Sequence, residues 1–384
     1  MVRPERFIEV GWSQRAKHGQ RVPGDTIVVR RLPEEGRLVG VLADGLGSGV
    51  KAAVLSTLTA TIAARHAAVG RDIRRAAELI ARALPVCSVR RIGYSTFTIV
   101  DVGDDGTVCA FNSGNPAIIQ VRGAASAAVG DEGPGLHASA VALAEGDRLL
   151  VCSDGVTQAG MGRADLPFGW GLDGLQRWLQ EQLAARADAS AQALAEAVVA
   201  AATAYDGEHA RDDTSCLVVH LRRPRHLTVI TGPPYDSARD AEIAALCRDA
   251  PGRVAICGGT TADIIARELD RPLIPDDAPP DPEIPPCWRM PGVALVTEGM
   301  ITLAAVLRLL EAGPPWPRAQ HGAARLLELL LDSDVIDLVV GTRVNPAHQD
   351  PSLPVELGIR RNLLRAIAAV LAERYARAVS LRFV

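Results

Sequence analysis

Short apolar runs, many rich in β-branched residues, alternate with longer helical patterns along the first 222 residues. The runs predict strands at 27–29, 38–42, 97–100, 108–111, 117–121, 149–152 and 215–221. Helical patterns lie between them at 50–68, 74–84, 172–184 and 191–204. Strands joined by tight turns, with helices inserted, are typical of antiparallel sheets covered by helices. We therefore predict an α+β domain over residues 1–222.

After residue 225 the pattern changes to strand–turn–helix units in regular succession. Predicted strands at 227–230, 254–256, 294–296 and 335–340 are followed by a helix at 355–375 and a last strand in VSLRFV. Because crossover helices make neighbouring strands parallel, residues 226–384 are expected to form an α/β domain with a mostly parallel sheet. The proline- and acid-rich segment 271–288 predicts an ordered lid or surface loop.

Composition excludes several classes of protein. The chain has 384 residues, enough for about two domains. Its 41 basic and 45 acidic residues give a net charge of −4, which favours neither a nucleic acid nor a membrane as partner. No apolar stretch approaches the ~20 residues of a membrane span, and the N-terminus lacks a secretory signal pattern. Seven scattered cysteines without a CxxC pair suggest the reducing cytoplasm.

Aspartates recur at the edges of the predicted strands. Asp44 and Asp154 each end an apolar strand and precede a glycine. Asp25 stands just before a strand, as do Asp212 and Asp213. Taken singly, each of these aspartates is explained as well by a role in a turn or helix cap as by a role in metal binding. Gathered at one sheet edge, however, they would repel one another unless a cation lay between them, and oxygen ligands without His or Cys favour Mg²⁺ or Mn²⁺.

The ordered motifs GD, LADGLGSG, CSDG and RDDTSCLVV resemble those of the metal-dependent Ser/Thr protein phosphatases, the PPM family. They most resemble its bacterial SpoIIE-like branch. The segment FNSGNPAII is similar to that branch's NAGHPPPL segment, with Asn115 in place of the usual histidine. The resemblance covers residues of about 8–222 and implies a sandwich of two antiparallel sheets with helices outside, the fold class that the pattern of strands and helices also predicts.

The resemblance implies a site of two Mn²⁺ or Mg²⁺ ions held by Asp25, Asp44, Gly45, Asp154, Asp212 and Asp213. Asp44 would bridge the ions, with the carbonyl of the following glycine as a neighbouring ligand. Asp154 and Asp212 would hold the first ion, and these three aspartates are the expected catalytic set. Asp25 would complete the site through waters, and Asp213 is the second choice for the last ligand.

Such a metal pair would activate water for direct hydrolysis of a phosphoserine or phosphothreonine monoester. The phosphate needs a cationic side chain to orient it, and Lys17 and Arg21, in the loop before Asp25, are the candidates. His18 is a candidate for the acid that protonates the leaving group. Lysine, arginine and histidine in a loop are also commonly just solvated, so both interpretations stay open.

The second domain matches the phosphatase family nowhere. Its predicted strands end in small and polar residues, where ligands of parallel sheets usually bind. This makes a small anion or a nucleotide a candidate ligand, although Thr and Gly also begin helices in the absence of any ligand.

The leading hypothesis is an enzyme of bacterial signalling, a metal-dependent phosphatase of phosphorylated proteins. Under this hypothesis the second domain senses a ligand or docks a partner. The alternatives are a ligand-sensing module with weak phosphatase activity and a phosphatase of a small phosphorylated metabolite.

Overall fold

The computed structural model describes residues 5–69, 74–75, 77–78, 80, 95–130, 135–207, 209–277, 285–316, 321–342, 353–375 and 377–384. The chain divides into two compact units, Met1–Arg223 and Pro224–Val384. Most of the predicted helix at 74–84 lies outside the described residues, as does part of the proline-rich segment 271–288. No helix in the described ranges is long and apolar enough to cross a membrane.

The first unit contains two five-stranded antiparallel sheets. Its strands are β1 (Phe7–Arg15), β2 (Asp25–Leu32), β3 (Arg37–Gly45), β4 (Ser95–Gly103), β5 (Thr107–Ser113), β6 (Ile118–Arg122), β7 (Ala125–Val129), β8 (His137–Ala142), β9 (Arg148–Cys152) and β10 (Thr214–Arg222). The strand orders are β1-β10-β9-β6-β7 and β2-β3-β4-β5-β8. Its helices are α1 (Val50–Val69), α2 (Asp154–Thr157), α3 (Gly171–Ala185) and α4 (Ala191–Tyr205).

Side-chain alternation along the strands builds a four-layered arrangement. In β3, Leu38 and Leu42 belong to the core between the two sheets. Val39 and Val41, on the other face of this strand, pack with the alanines of α1. The outer face of the other sheet packs against α3 and α4 in the same way. Because consecutive strand residues point to opposite faces, one continuous apolar run serves two cores.

The second unit contains a seven-stranded sheet of order β13-β14-β15-β12-β11-β16-β17. Its strands are β11 (His226–Thr231), β12 (Arg253–Cys257), β13 (Ile274–Pro275), β14 (Trp288–Met290), β15 (Val293–Thr297), β16 (Val335–Val340) and β17 (Ala378–Phe383). Its helices are α5 (Asp240–Arg248), α6 (Gly259–Leu269), α7 (Met300–Ala312), α8 (Gly322–Leu331) and α9 (Leu353–Tyr375).

Five strands of this sheet, from β15 to β17, are parallel, and only β13 and β14 at one edge pair antiparallel. Helices α7, α8 and α9 cover one face, and α5 and α6 cover the other. These observations confirm the predicted fold classes of both halves. One detail differs from the prediction. The segment 271–288 was expected to be a loop, but it contains β13 near its start, and its last residue, Trp288, is the first residue of β14.

Candidate functional site

Asp25 and Asp44 face each other at one end of the β2–β3 pair. Asp25 begins β2 and is the register partner of Asp44. The side chain of Asp25 is 3% exposed. Neither of its carboxylate oxygens forms a hydrogen bond of good geometry with a described residue, although the hydroxyls of Ser215 and Ser153 lie close enough to lower its pKa. A buried carboxylate without a cationic partner is costly, so this arrangement is typical of a site that binds a cation.

Asp154 reaches the same region from the second sheet. It lies just after β9, separated from it by Ser153, and begins the short helix α2. Its Oδ2 accepts a hydrogen bond of 2.9 Å from the side-chain amide of Gln158. A methyl group at Gly155 would lie 2.2 Å from the main-chain oxygen of Asp213. The glycine after Asp154 therefore permits the close approach of the segment that leads into β10.

Asp212 and Asp213 immediately precede β10 and differ in their surroundings. Asp213 is 4% exposed, and its Oδ1 accepts a 3.0 Å hydrogen bond from the main-chain N–H of Lys17. Asp212 is half-buried, and its Oδ1 accepts a 3.0 Å bond from the N–H of Asp213. The ammonium group of Lys17 lies 3.9 Å from the same oxygen. Lys17 is thus a basic residue beside Asp212.

Electrostatics show that these aspartates act on one another. Burial raises the pKa of Asp44 well above its ordinary range, and the charges of Asp25 and Asp154 raise it further. Burial raises the pKa of Asp25 to about 7, the hydroxyls of Ser215 and Ser153 oppose this rise, and the charge of Asp213 adds to it. Burial and the charge of Asp212 raise the pKa of Asp154. Mutually raised pKa values are expected where carboxylates crowd together with too little positive charge.

Gly45 ends β3 where the backbone of α1 passes closely. A methyl group at this position would lie 2.2 Å from the main-chain oxygen of Ala52. The hydroxyl of Ser95, its register partner in β4, donates a 2.7 Å hydrogen bond to the carbonyl of Asp44. That carbonyl is therefore already engaged, whereas the role of the Gly45 carbonyl as a ligand remains a prediction.

The other predicted residues of the β1–β2 loop are placed less specifically. The His18 ring lies 4.3 Å, centroid to centroid, from the ring of His209 in an edge-to-face arrangement. The main-chain N–H of His18 donates a 2.8 Å bond to the carbonyl of Ala210. Arg21 is exposed, and it forms no ion pair with the described residues.

Asp206 organises the rim of the site and was missed by the sequence analysis. Its Oδ1 accepts a 2.7 Å bond from the N–H of Gly160, and its Oδ2 accepts a 2.9 Å bond from the N–H of Arg211. The loop after α2 is thereby tied to the loop before β10. No sequence motif marks this residue, because its role depends on two loops that are distant along the chain.

The residue types fit hard divalent ions, since every donor is an oxygen and the orphaned carboxylate of Asp25 lacks a counter-charge. As the side chains stand, no three acidic, His or Cys groups among the described residues surround a common point at metal-binding distance. The oxygen donors and the negative charge of these aspartates therefore favour a divalent cation here.

Residues 34–222 match the model of the family described as Stage II sporulation protein E (SpoIIE). This matched region, just under half of the chain, is similar to SpoIIE-family domains. The family is PP2C-like, as the motifs predicted. The SpoIIE-type region includes Asp44, Asp154, Asp212 and Asp213, whereas Asp25 lies before the matched residues. The second unit lies outside the match.

Solved structures similar to this chain include the PP2C phosphatase domain with a regulatory fragment of SpoIIE from Bacillus subtilis. That similarity has 20% identity and a TM-score of 0.49, and it covers 57% of this chain and 64% of that one. The RsbU and RsbW domains of Rv1364c from Mycobacterium tuberculosis show 19% identity and a TM-score of 0.46, over 64% and 68% of the chains. The SiaA PP2C domain of Pseudomonas aeruginosa shows 22% identity and a TM-score of 0.42, over 56% and 85%. No curated protein matches the chain.

Proposed function

We propose that the protein is a Mn²⁺- or Mg²⁺-dependent phosphatase of phosphoserine and phosphothreonine in proteins, acting in bacterial signalling. The observation that carries this proposal is the crowding of aspartates from both sheets around Asp25 and Asp44, where burial and neighbouring carboxylates raise the pKa of both residues. The SpoIIE family match supports the reaction class.

In the proposed site Asp25, Asp44 and Asp154 hold two ions together with one of the two aspartates before β10. Asp212 suits this role better than Asp213, because the latter is buried and engaged by the N–H of Lys17. The Gly45 carbonyl is the proposed additional ligand. A bound metal pair supplies a Lewis acid that lowers the pKa of water to about 7.

Lys17 is the residue proposed to orient the phosphate. Its ammonium group lies 3.9 Å from Asp212 at the rim of the site, so its positive charge faces the position of an incoming dianion. Two hydrogen bonds anchor the loop that carries Lys17. The main-chain N–H of Lys17 donates to Asp213, and the main-chain N–H of His18 donates to the carbonyl of Ala210. Anchoring of this kind limits the entropy lost when the lysine meets the substrate.

Hydrolysis of p-nitrophenyl phosphate by the full chain tests the proposal. We expect Mn²⁺-dependent release of p-nitrophenol that falls about 100-fold or more in Asp44→Ala and Asp154→Ala. The matched control is Asp188→Ala, which removes an exposed carboxylate in the turn between α3 and α4 and should retain wild-type activity. Activity that survives EDTA, or that persists in both site variants, would refute the metal-dependent mechanism.

The substrate class separates the leading proposal from its alternatives. A protein phosphatase should hydrolyse a phosphoserine or phosphothreonine peptide with a higher kcat/KM than nucleotides or sugar phosphates. The reverse order would favour a metabolite phosphatase. Turnover that rises only when a ligand is added would favour the sensing module with weak activity.

We propose that the second unit senses a small anion or nucleotide, or docks a partner, and thereby controls the phosphatase. Its parallel sheet with helices on both faces supports this role, because such sheets bind ligands outside the carboxyl ends of their strands. The charge balance gives no reason to propose a nucleic acid or membrane partner, and the cysteine pattern supports a cytoplasmic location.

A further inference from the structure

The loop between α2 and α3, residues 158–170, carries an exposed aromatic side chain and is named here the aromatic loop. Phe168 is 87% exposed, more than any other large hydrophobic residue that the structure describes. Met161, in the same loop, is exposed as well. A single exposed hydrophobic residue is common on protein surfaces, so the order of this loop and its position decide what the exposure means.

Hydrogen bonds within the aromatic loop hold Phe168 in its exposed position. The main-chain N–H of Gly162 donates a 3.3 Å bond to the carbonyl of Pro167, the residue before the phenylalanine. The N–H of Trp170 donates a 2.8 Å bond to the carbonyl of Ala159, which closes the loop at its base. Because the backbone is ordered in advance, a partner that binds Phe168 loses little entropy in fixing it.

The hydrophobic neighbours of Phe168 in the loop face inward. Trp170 is 6% exposed, and its ring lies 5.0 Å, centroid to centroid, from that of Tyr205. Leu166 is half-buried, and its side chain lies 2.9 Å from the position of a methyl group added at Gly160. The loop therefore buries two hydrophobic side chains and leaves Phe168 outside, although the three lie close together along the chain.

The aromatic loop adjoins Asp154 of the proposed metal site. A methyl group added at Gly169 would lie 2.7 Å from the Cα atom of Gln158, so the residue that follows Phe168 packs directly on Gln158. The side-chain amide of Gln158 donates the 2.9 Å hydrogen bond to Oδ2 of Asp154. Phe168 is thus one residue away from a contact with the hydrogen-bond partner of Asp154.

The same loop is tied to the segment that carries Asp212. Nη1 of Arg211 donates a 2.6 Å bond to the carbonyl of Met161, and Arg211 immediately precedes Asp212. Asp206 joins the two segments again, since it accepts bonds from the N–H groups of Gly160 and Arg211. The guanidinium of Arg211 places positive charge beside the aromatic loop, which favours an anionic partner such as a phosphorylated chain.

We propose that Phe168 is a docking residue for the protein substrate and binds an apolar side chain that flanks the phosphorylated residue. The inference rests on the proposed phosphatase function and deepens it, because it names what the enzyme recognises besides the phosphate. Ordered aromatic side chains are enriched at protein interfaces. An extended substrate chain advances by about 3.3 Å per residue, so residues two to four positions from the phosphoserine lie about 7–13 Å from it.

Steady-state kinetics of the full chain with Mn²⁺ and two phosphoserine peptides test this role. The peptides have the same length and charge, and the positions two to four residues from the phosphoserine hold leucine in one and glutamine in the other. We expect the wild type to favour the leucine peptide about 10-fold or more in kcat/KM. In Phe168→Ser this ratio should fall below about 3, mainly through the KM of the leucine peptide, and Phe168→Leu should retain most of it.

The matched control is Tyr235→Ser, which removes an exposed aromatic side chain of the second unit and should keep the wild-type ratio. A wild-type ratio near 1, or an unchanged ratio in Phe168→Ser, would overturn the inference and leave the proposed function intact. Absence of hydrolysis of both peptides and of p-nitrophenyl phosphate by the wild type would instead refute the proposed function, and the inference with it.

Two further measurements separate docking from other roles of Phe168. Because the side chain is exposed, the Tm of Phe168→Ser should stay within about 3 °C of the wild-type value. A larger fall, or an equal loss of kcat/KM for both peptides, would assign the side chain to the fold and overturn the inference. Size-exclusion chromatography that shows a dimer for the wild type and a monomer for Phe168→Ser would assign the aromatic loop to a contact between two copies, which would also overturn it.

Discussion

At the scale of single residues, Asp44 is where stability and the proposed function conflict. Burial and neighbouring carboxylates raise its pKa, so ionising it destabilises the metal-free fold. The pKa of Asp44 is higher in the folded than in the unfolded protein, so protonated Asp44 does not destabilise the fold below about pH 4. As the pH rises above that value, the free energy of unfolding falls. We predict that Asp44→Asn raises the Tm of the metal-free protein at pH 8 by roughly 2–6 °C.

Differential scanning fluorimetry with and without Mn²⁺ measures this effect. The gain in Asp44→Asn should be smaller at pH 5 than at pH 8, and the Mn²⁺-induced rise in the Tm of the wild type should vanish in the variant. Glu181→Gln, at an exposed position of α3, serves as the control and should leave both values unchanged. A lower Tm for metal-free Asp44→Asn would mean that the carboxylate is held by structural partners.

Glu9 illustrates the opposite case, a carboxylate that stabilises the fold by being charged. Its Oε2 accepts a 2.5 Å bond from Nε of Arg222, and its Oε1 accepts a bond from the N–H of Ala191 at the start of α4. Burial acts to raise the pKa of Glu9, but interactions with His220 and Arg222 outweigh it and lower the pKa from 4.5 to about 2. A depressed pKa gives stability above about pH 4.5 that is lost as the pH falls toward 2.

We therefore predict that Glu9→Gln lowers the free energy of unfolding by about 1–3 kcal/mol at pH 7. The difference from the wild type should shrink when urea denaturation is repeated at pH 3. An equal difference at both pH values would show that the loss comes from packing rather than from the charge of Glu9.

The sequence marks Asp44 and Asp154 by a strand end and a following glycine, and it marks Asp25, Asp212 and Asp213 only by their place before a strand. Their role as one ligand set stays a prediction. The structure brings Lys17 to Asp212 but leaves Arg21 exposed. The sequence carried no signal for Asp206 or for the contact between His18 and His209. These contacts join loops that are far apart along the chain, so local patterns cannot reveal them.

At the scale of elements, two glycines should respond oppositely to the same change. A methyl group at Gly155 would lie 2.2 Å from the main-chain oxygen of Asp213, whereas one at Gly358, within α9, would meet no atom within 4 Å. We predict that Gly155→Ala destabilises the protein by about 2 kcal/mol or more because backbone must move. Gly358→Ala should stabilise it by about 0.5–1 kcal/mol, since alanine favours a helix interior.

Thermal and urea denaturation of the two variants check this pair. Mn²⁺-dependent hydrolysis should also fall in Gly155→Ala, because the shift separates Asp154 from the segment before β10. Wild-type stability in Gly155→Ala would contradict the close approach of these two segments.

Buried strands and long helices were predictable as elements, whereas the edge strands β7 and β8 were not. β3, β9 and β10 appear in the sequence as apolar runs because both of their faces are buried. β7 and β8 are edge strands of alanine, serine and other small residues, with many exposed positions, so they lack the apolar signal on which the prediction depends. Their formation depends on pairing with β6 and β5.

At the scale of the whole molecule, each unit has its own cores. Within the described residues, no sheet and no hydrophobic cluster combines residues of Met1–Arg223 with residues of Pro224–Val384. We predict that a fragment of residues 1–223 folds cooperatively and retains Mn²⁺-dependent hydrolysis of p-nitrophenyl phosphate. Circular dichroism and the activity assay measure this, and an unfolded fragment would show that the second unit is required for folding.

The fold classes followed from the order of strands and helices, but the strand order within each sheet did not. The sequence shows that β11, β12, β15, β16 and β17 follow one another, and only the structure shows that β11 pairs with both β12 and β16. β11 is therefore the central strand of the parallel part of this sheet. Such pairing is decided by long-range packing that no local pattern encodes.

Anomalous diffraction at the manganese edge, from crystals of the full chain soaked with Mn²⁺ and phosphate, tests the proposed metal site most directly. We predict two anomalous peaks coordinated by Asp44, Asp154 and Asp212, with phosphate near Lys17. Ordered crystals without anomalous density at these aspartates, or with manganese bound only elsewhere, would contradict it.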